Sequence, residues 1–185
     1  MLLKSYHLYD QNERGKLVMA RIFDLDLVDA KICNRDFGGE KWGPDQRQFQ
    51  IDISNDPQLV EKLTKDGVRL WQPESNNEVD PPRAYLTVKV DYRFGQVPIA
   101  MIAPDGTAKK LTSRDVEELN SAWIKHSEMH IHGSSYEGRG RSGVSVYLDT
   151  LVVHLMSKEE VDERRSSDAA RINPVLEKYR GIFGI

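Results

Sequence analysis

A single cysteine, Cys33, is all the thiol in a chain of 185 residues. One cysteine excludes an intramolecular disulfide framework and makes a reducing compartment, the cytoplasm, the default expectation. Long hydrophobic runs are missing too. No apolar stretch approaches the roughly 20 residues that a membrane-spanning helix needs, and 30% of the residues are charged, so no membrane partner is expected. The opening residues, MLLKSYHLYDQ, have neither a basic leader with a long apolar segment nor a small-residue cleavage site, and no secretory leader is expected. A basic excess is also absent. The formal net charge is −3, which weakens any general attraction to polyanions, although a cationic face can still sit on an acidic protein.

Catalytic and cofactor signatures are equally sparse. The loop GRGRSG (138–143) matches the glycine spacing of a dinucleotide fingerprint, but that motif works between a strand and a helix. The residues after Gly143 alternate as a strand does, so these glycines serve a wide turn instead. No serine stands in a nucleophile elbow, Cys33 falls inside an alternating strand, and no carboxylates pair at a spacing that implies acid and base. Neither an enzyme nor a bound cofactor is expected. His126, His130 and His132 form a cluster, with His130 and His132 on one face, yet no third ligand of good geometry is evident; a polar strand face is expected rather than a metal site. DLDLVD (24–29) cannot wrap oxygen ligands around an ion from a strand, and reads as a solvated edge.

What the chain does contain is alternation. Lys16 to Asn34 reads as a long strand that bulges where the alternation slips. RQFQIDIS (47–54) turns Phe49, Ile51 and Ile53 inward, and RAYLTVKVDY (83–92) does the same with Leu86, Val88 and Val90, leaving Tyr85, Thr87 and Lys89 on the other face. Between them, a cap at Asn55 or Asp56 and Pro57 at the first turn open a short helix over 57–66, closed by Gly67; VRLWQ follows as a possible short strand, and 73–82 as a polar loop. A strand around 97–103, a PDG turn and a helix from Thr112 or Ser113 to about Ser121 come next. Ser127 to Met156 then forms two strands joined by a glycine- and arginine-bearing loop, with Val144, Val146, Leu148 and Val152 alternating against Ser145, Tyr147 and Asp149. Beyond Met156 the composition becomes polar and charge-balanced, as in surface helices.

Two loops combine rings with cations. In NRDFGGEKWGPDQ (34–46), Phe37 and Trp42 are surrounded by Arg35, Lys41 and Arg47, and either pack over the end of the domain or await a ligand. At the tip of the later hairpin, Tyr136 accompanies Arg139 and Arg141, a pairing suited to unstacked bases and a phosphate backbone.

The order of elements implies a mainly β domain: an OB-fold-like five-stranded Greek-key barrel with an inserted helix, a capping helix and a C-terminal helical extension. The expected boundaries are 1–156 for the domain and 157–185 for a helical or partly disordered extension. In addition, NRDFGGEKWGPDQRQFQIDI, LVEKLTKDGVRLW, AYLTVKVDY and HIHGSSYEGRGRSGVSVYLDTLVV, within roughly 28–155, resemble bacteriophage single-stranded DNA-binding proteins with an OB-fold. The resemblance implies sequence-independent coating of single-stranded DNA in phage replication or recombination, within the host cytoplasm. It implies contacts from Arg35, Lys41, Trp42, Arg47, Tyr85, Lys89, Tyr136, Arg139 and Arg141, together with replication or recombination proteins as partners and self-association as an option. The rival reading is an OB-like protein-interaction module that binds no nucleic acid.

Overall fold

The computed structural model describes residues 20–41, 43–44, 46–73, 82–93, 95–138 and 141–168, with the side chains at 138 and 141 left aside. Eight strands are arranged in one mixed sheet: β1 (Arg21–Val28), β2 (Lys31–Asp36), β3 (Gln48–Asp52), β4 (Tyr85–Lys89), β5 (Ile99–Ile102), β6 (Ala108–Leu111), β7 (Ile124–Gly138) and β8 (Arg141–Leu155). The main path runs β1-β7-β8-β4-β3-β2, with the β5–β6 hairpin attached to β8. Most pairs are antiparallel, but β8 meets both β4 and β5 in parallel. It can serve both because its first half faces β4 at Val146 and Tyr147 and its second half faces β5 from Leu151 to His154.

The expected long first strand is two strands. β1 pairs with β7 and β2 with β3, so the chain leaves one end of the path and enters the other within two residues. The break falls at Asp29, whose φ of 58° is left-handed, a conformation that residues other than glycine, asparagine and aspartate rarely adopt. Its amide donates to Ser127 O at 2.8 Å, and Ser127 Oγ donates back to Ala30 O at 2.9 Å. The slip in alternation at 28–30 is the sequence trace of this corner.

Alternation holds best in the core. Phe49, Ile51, Leu86, Val88, Ile131, Leu151 and Val153 are all at most 1% exposed, and burying such side chains supplies about 1.5–3 kcal/mol each. Phe37 joins them: it is fully buried and its ring stacks on Phe49 at 5.0 Å. Of the two options for this aromatic loop residue, packing holds. The loop after β2 is pinned by the buried Asp36, whose carboxylate accepts from the amides of Glu40 (2.8 Å) and Lys41 (3.1 Å).

The inserted helix is α1 (Pro57–Lys65), one residue from the expected end, with the Asp56 side chain accepting from Leu59 N and Leu59 and Leu63 buried. Such a cap contributes about 1 kcal/mol. After Gly67 (φ 84°) the chain returns to the sheet through isolated bridges, Val68 to Val144 and Trp71 to Tyr85. The expected capping helix is smaller than its signal suggested, a 3-10 helix over Val116–Asn120. Asp115 makes no side-chain bond into it; its carboxylate instead accepts from the Thr112 amide and from Thr112 Oγ1 at 2.9 Å, which ties the turn backward rather than starting an α-helix.

The hairpin of β7 and β8 has two arms of 15 residues each, longer than the 127–156 reading by its early start. Its register skips where His130 faces Thr150 and Ile131 faces Leu148, so that Asp149 is an extra, bulged residue. A second helix, α2, spans 158–168 and opens on a capping box in which the Glu160 amide donates to Ser157 Oγ (3.2 Å) and the Ser157 amide to Glu160 Oε2 (2.8 Å). It is tied to the start of β7 by a Lys125–Glu160 ion pair and by Arg165 over the Trp123 ring at 5.4 Å. No helix among the described residues is long and apolar enough to cross a membrane.

The five-strand expectation is thus too lean. The β5–β6 hairpin adds an arm that alternation at 97–103 had only half indicated, and the sheet path is open, ending in β1 and β2.

Candidate nucleic-acid interface

The inward residues of β3, β4, β7 and β8 leave their alternates on the opposite face, and strand register sorts those alternates into rows. Gln48 pairs with Lys89, Lys89 with Tyr147, Tyr147 with His132, and His132 with Asp24, so one row crosses five strands. The Tyr147 and His132 rings stack at 5.5 Å and 23°. Lys89 Nζ lies 5.7 Å from the Tyr147 centroid and donates to Ser145 Oγ at 3.0 Å. Further along, Asp52 pairs with Tyr85, whose ring sits 5.1 Å from that of Trp71, tilted by 40°. Trp71 is 49% exposed, the more open member of the pair.

Between these two clusters the face is polar and bonded to itself: Gln50 Nε2 donates to Thr87 Oγ1 at 3.3 Å and Asn34 Nδ2 to Gln50 Oε1 at 2.5 Å. Tyr85 and Lys89 are four residues apart on one strand, about 13 Å at 3.3 Å per residue. A chain of unstacked bases crossing β4 could meet both clusters.

The electrostatics separate the row into two ends. At the β1 end, Arg21 donates to Asp24 Oδ1 (2.6 Å) and Asp149 Oδ2 (2.5 Å), and the His132 Nδ1 to Asp149 Oδ1 contact is 2.8 Å. Arg93 is closed on Asp91. Lys89, by contrast, rests on a hydroxyl and a ring, and among the described residues no carboxylate accepts a hydrogen bond from it. Burial pushes its pKa below the ordinary lysine value, with the Arg93 charge acting in the same direction. Burial also lowers the His132 pKa, more than Asp149 raises it. An open recess of about 230 Å³ adjoins Tyr147 and His132, bounded by Asp91, Gln96, Val97 and Asp149. Both of its carboxylates are already paired, Asp91 with Arg93 and Asp149 with Arg21 and His132.

The residues expected at the interface fall into four groups. Tyr85 and Lys89 lie on the ringed face, and Tyr136 stands 41% exposed farther along β7, opposite Gly143. Arg35 and Arg47 face inward structure instead. Arg35 Nη1 donates to the carbonyls of Leu119 (2.9 Å) and Ala122 (2.5 Å), and Arg47 Nη1 to Ser113 O (2.6 Å), with the Arg47 guanidinium over the Tyr92 ring at 5.2 Å. Burial lowers the Arg35 pKa. Lys41 is exposed on the loop anchored by Asp36. Trp42 and Arg139, and the side chain of Arg141, lie outside the described residues.

Trp71, His132 and Tyr147 were not among the expected contacts. The signal for Tyr147 was present, since it alternates outward with Ser145 and Asp149, but nothing in the sequence showed that β8 would set it between His132 and Lys89. Trp71 stood in a segment whose pairing was open.

A mixed β-sheet with rings and a lysine aligned across one exposed face presents the groups that stacking on unpaired bases and contact with phosphate would use. The chain belongs to the family described as "Putative phage ssDNA-binding domain", whose model matches residues 14–178. Among solved structures it is similar to the single-stranded DNA-binding protein from bacteriophage Enc34, at 6% identity and TM-score 0.49 over 85% of this chain and 92% of that one. The same phage protein in complex with ssDNA gives 8% identity and TM-score 0.48, covering 80% and 98%. Its C-terminal truncation gives 9% and 0.45, covering 82% and 98%. A comparison with curated proteins finds no match.

Proposed function

We propose that this protein coats single-stranded DNA without sequence preference, and that the strand crosses the sheet face over Tyr147 and Lys89 toward Trp71 and Tyr85. The observation that carries this reading is the His132–Tyr147–Lys89 row, with rings stacked and a lysine held against them. Every base offers a π-face, so stacking is tolerant of sequence, and Lys89 supplies charge for a phosphate. Tyr136, Arg139 and Arg141 at the hairpin, with Lys41 and Trp42 on the first loop, are proposed to flank the path. Arg35 and Arg47 are assigned to bracing the first loop rather than to DNA.

β1 and β2 act as the two halves of one bent strand, so that β2, β3, β4, β8 and β7 return to β1 through the Asp29 corner. The parallel β4–β8 pair supports this OB-like reading. Residues 1–156 would then form the binding domain and 157–185 its extension. Membership in a phage family supports a place in replication or recombination inside the host cell, with partner proteins and self-association as further parts of that role, and binding without catalysis.

The test is fluorescence anisotropy with labelled oligothymidine across a salt series, alongside single-stranded RNA and duplex DNA of equal length. Binding should weaken with salt, with a log–log slope of about −0.7 per phosphate contacted. Absence of binding at low salt would overturn the proposal and favour a protein-interaction module. Preference for duplex would overturn the assignment of the sheet face.

A further inference from the structure

The histidine cluster read from the sequence regroups when the strands pair. His126 does not meet His130; it sits directly across from His154 in the β7–β8 register, and the two rings are 5.2 Å apart. Glu128, two residues along β7, shares the face of His126. One ligand atom from each of His126, Glu128 and His154 lies within 4.8 Å of the others. His126 Nε2 is 3.1 Å from Glu128 Oε1, close to the roughly 3.4 Å that separates ligands around a tetrahedral ion with bonds of 2.0–2.2 Å.

A second feature points the same way. The other nitrogen of His126, Nδ1, is bonded to Asp29 Oδ1, the carboxylate–histidine arrangement that fixes tautomer and ring orientation in metal sites. Asp29 reaches it from the left-handed corner between β1 and β2, and that corner is fastened to Ser127, the residue between His126 and Glu128. Ser127 is 1% exposed, so orienting group and ligand strand are locked together. Among the described residues, neither Asp29 nor Glu128 pairs with a lysine or arginine. The neighbouring group of Asp24, His130 and Asp149 differs on this point: Arg21 already places its guanidinium there, on both carboxylates and 3.5 Å from His130 Nε2. A cation has been built into that group, whereas among the described residues His126, Glu128 and His154 have none.

We propose that His126, Glu128 and His154 bind a zinc-class divalent cation, with Asp29 as the positioning residue for His126. Two imidazoles and one carboxylate leave the fourth position to water, and this donor set suits zinc over calcium or magnesium. The ion would staple the β1–β2 corner, β7 and the end of β8. It would lie beside the cleft of about 570 Å³ that Asp29 and His126 line with Lys31, Lys125 and Arg164. The proposal does not rest on nucleic-acid binding.

The experiment uses the full chain, free of any polyhistidine tag, titrated with zinc chloride by calorimetry and with cobalt(II) by visible absorption. One zinc per chain, a tetrahedral cobalt spectrum and a zinc-dependent rise in Tm are expected. His154→Ala should abolish all three, and Asp29→Asn, which keeps a residue tolerant of the left-handed corner, should weaken zinc about 10- to 100-fold. Asp149→Asn should leave zinc affinity unchanged. Circular dichroism of the metal-free variants separates loss of ligand from loss of fold. No zinc uptake at micromolar concentration would overturn the proposal. So would uptake that survives His154→Ala, or uptake lost in Asp149→Asn, which would move the ion to the Arg21 group.

Discussion

Replacing Tyr147 with alanine isolates the contribution of the ring row. Tyr147 stacks on His132 at 5.5 Å and lies 5.7 Å beneath Lys89 Nζ, so it is held in place before any base arrives and loses little freedom on binding. A base stacked on such a ring is worth about 1–3 kcal/mol, which corresponds to about 5- to 140-fold in affinity. Tyr147→Ala should therefore weaken oligothymidine binding within that range at every salt concentration and leave the salt slope unchanged. Tyr147→Phe keeps the ring and should remain within a few-fold of the parent. Lys89→Gln should do the complementary thing: it removes one phosphate contact, and the log–log slope should become shallower by about 0.7. Because Tyr147 is only partly buried, with Val146 and Leu148 beside it carrying the core contacts, the variant should still fold, which thermal melting checks. Anisotropy titrations at four or five salt concentrations separate the two effects. If Tyr147→Ala binds as tightly as the parent throughout, the strand does not cross this face.

Three other outcomes follow from the geometry. A Cβ at Gly133 would lie 2.2 Å from Phe23 Cε1, so Gly133→Ala should destabilise by about 1–3 kcal/mol or more in urea denaturation; adding Phe23→Ala should cost less than the sum of the two single changes. Arg35→Ala strips a shared donor from the carbonyls of Leu119 and Ala122; it should cost about 1–3 kcal/mol of stability and leave the oligothymidine affinity of the folded protein unchanged. His132 has its pKa lowered from 6.5, chiefly by burial. The unfolded chain then takes up its proton first, so stability should be full above about pH 6.5 and decline as pH falls through the window below it; urea midpoints from pH 8 to 5 should fall less steeply in His132→Gln.

The parts of the fold that are local were readable. Alternation at 48–52 and 85–89 identified two core strands with the correct inward residues, and a cap at Asn55 or Asp56 before Pro57, with the Gly67 stop, identified α1, because capping and backbone preference act within a few residues; the structure chose Asp56. The corner at Asp29 was visible only as a slip in pattern. A left-handed aspartate carries no sequence signature of its own, and it persists here because Ser127, far along the chain, holds it from both sides. The 3-10 helix is shorter than its sequence signal because Thr112 and Asp115 form a capping-like pattern whose bonds run the other way. Arg35 and Phe37 show the same limit: an arginine and an aromatic in a glycine-rich loop look available to a ligand, yet one braces two carbonyls and the other stacks on Phe49.

By itself, the sequence determined that the protein is mainly β, which residues of each well-patterned strand turn inward, where α1 begins and ends, and that rings and cations gather on a few segments. Those properties depend on the period of two, on proline and glycine stereochemistry and on composition. Only the tertiary structure decided which outward residues become neighbours. Tyr147 meets Lys89 because β8 runs parallel to β4, and it meets His132 because the bulge at Asp149 resets the register of the hairpin. His126 finds His154 rather than His130 through that same pairing. Alternation assigns a side chain to a face but carries no information about partner strand or register, since those are fixed by burial summed over the whole sheet.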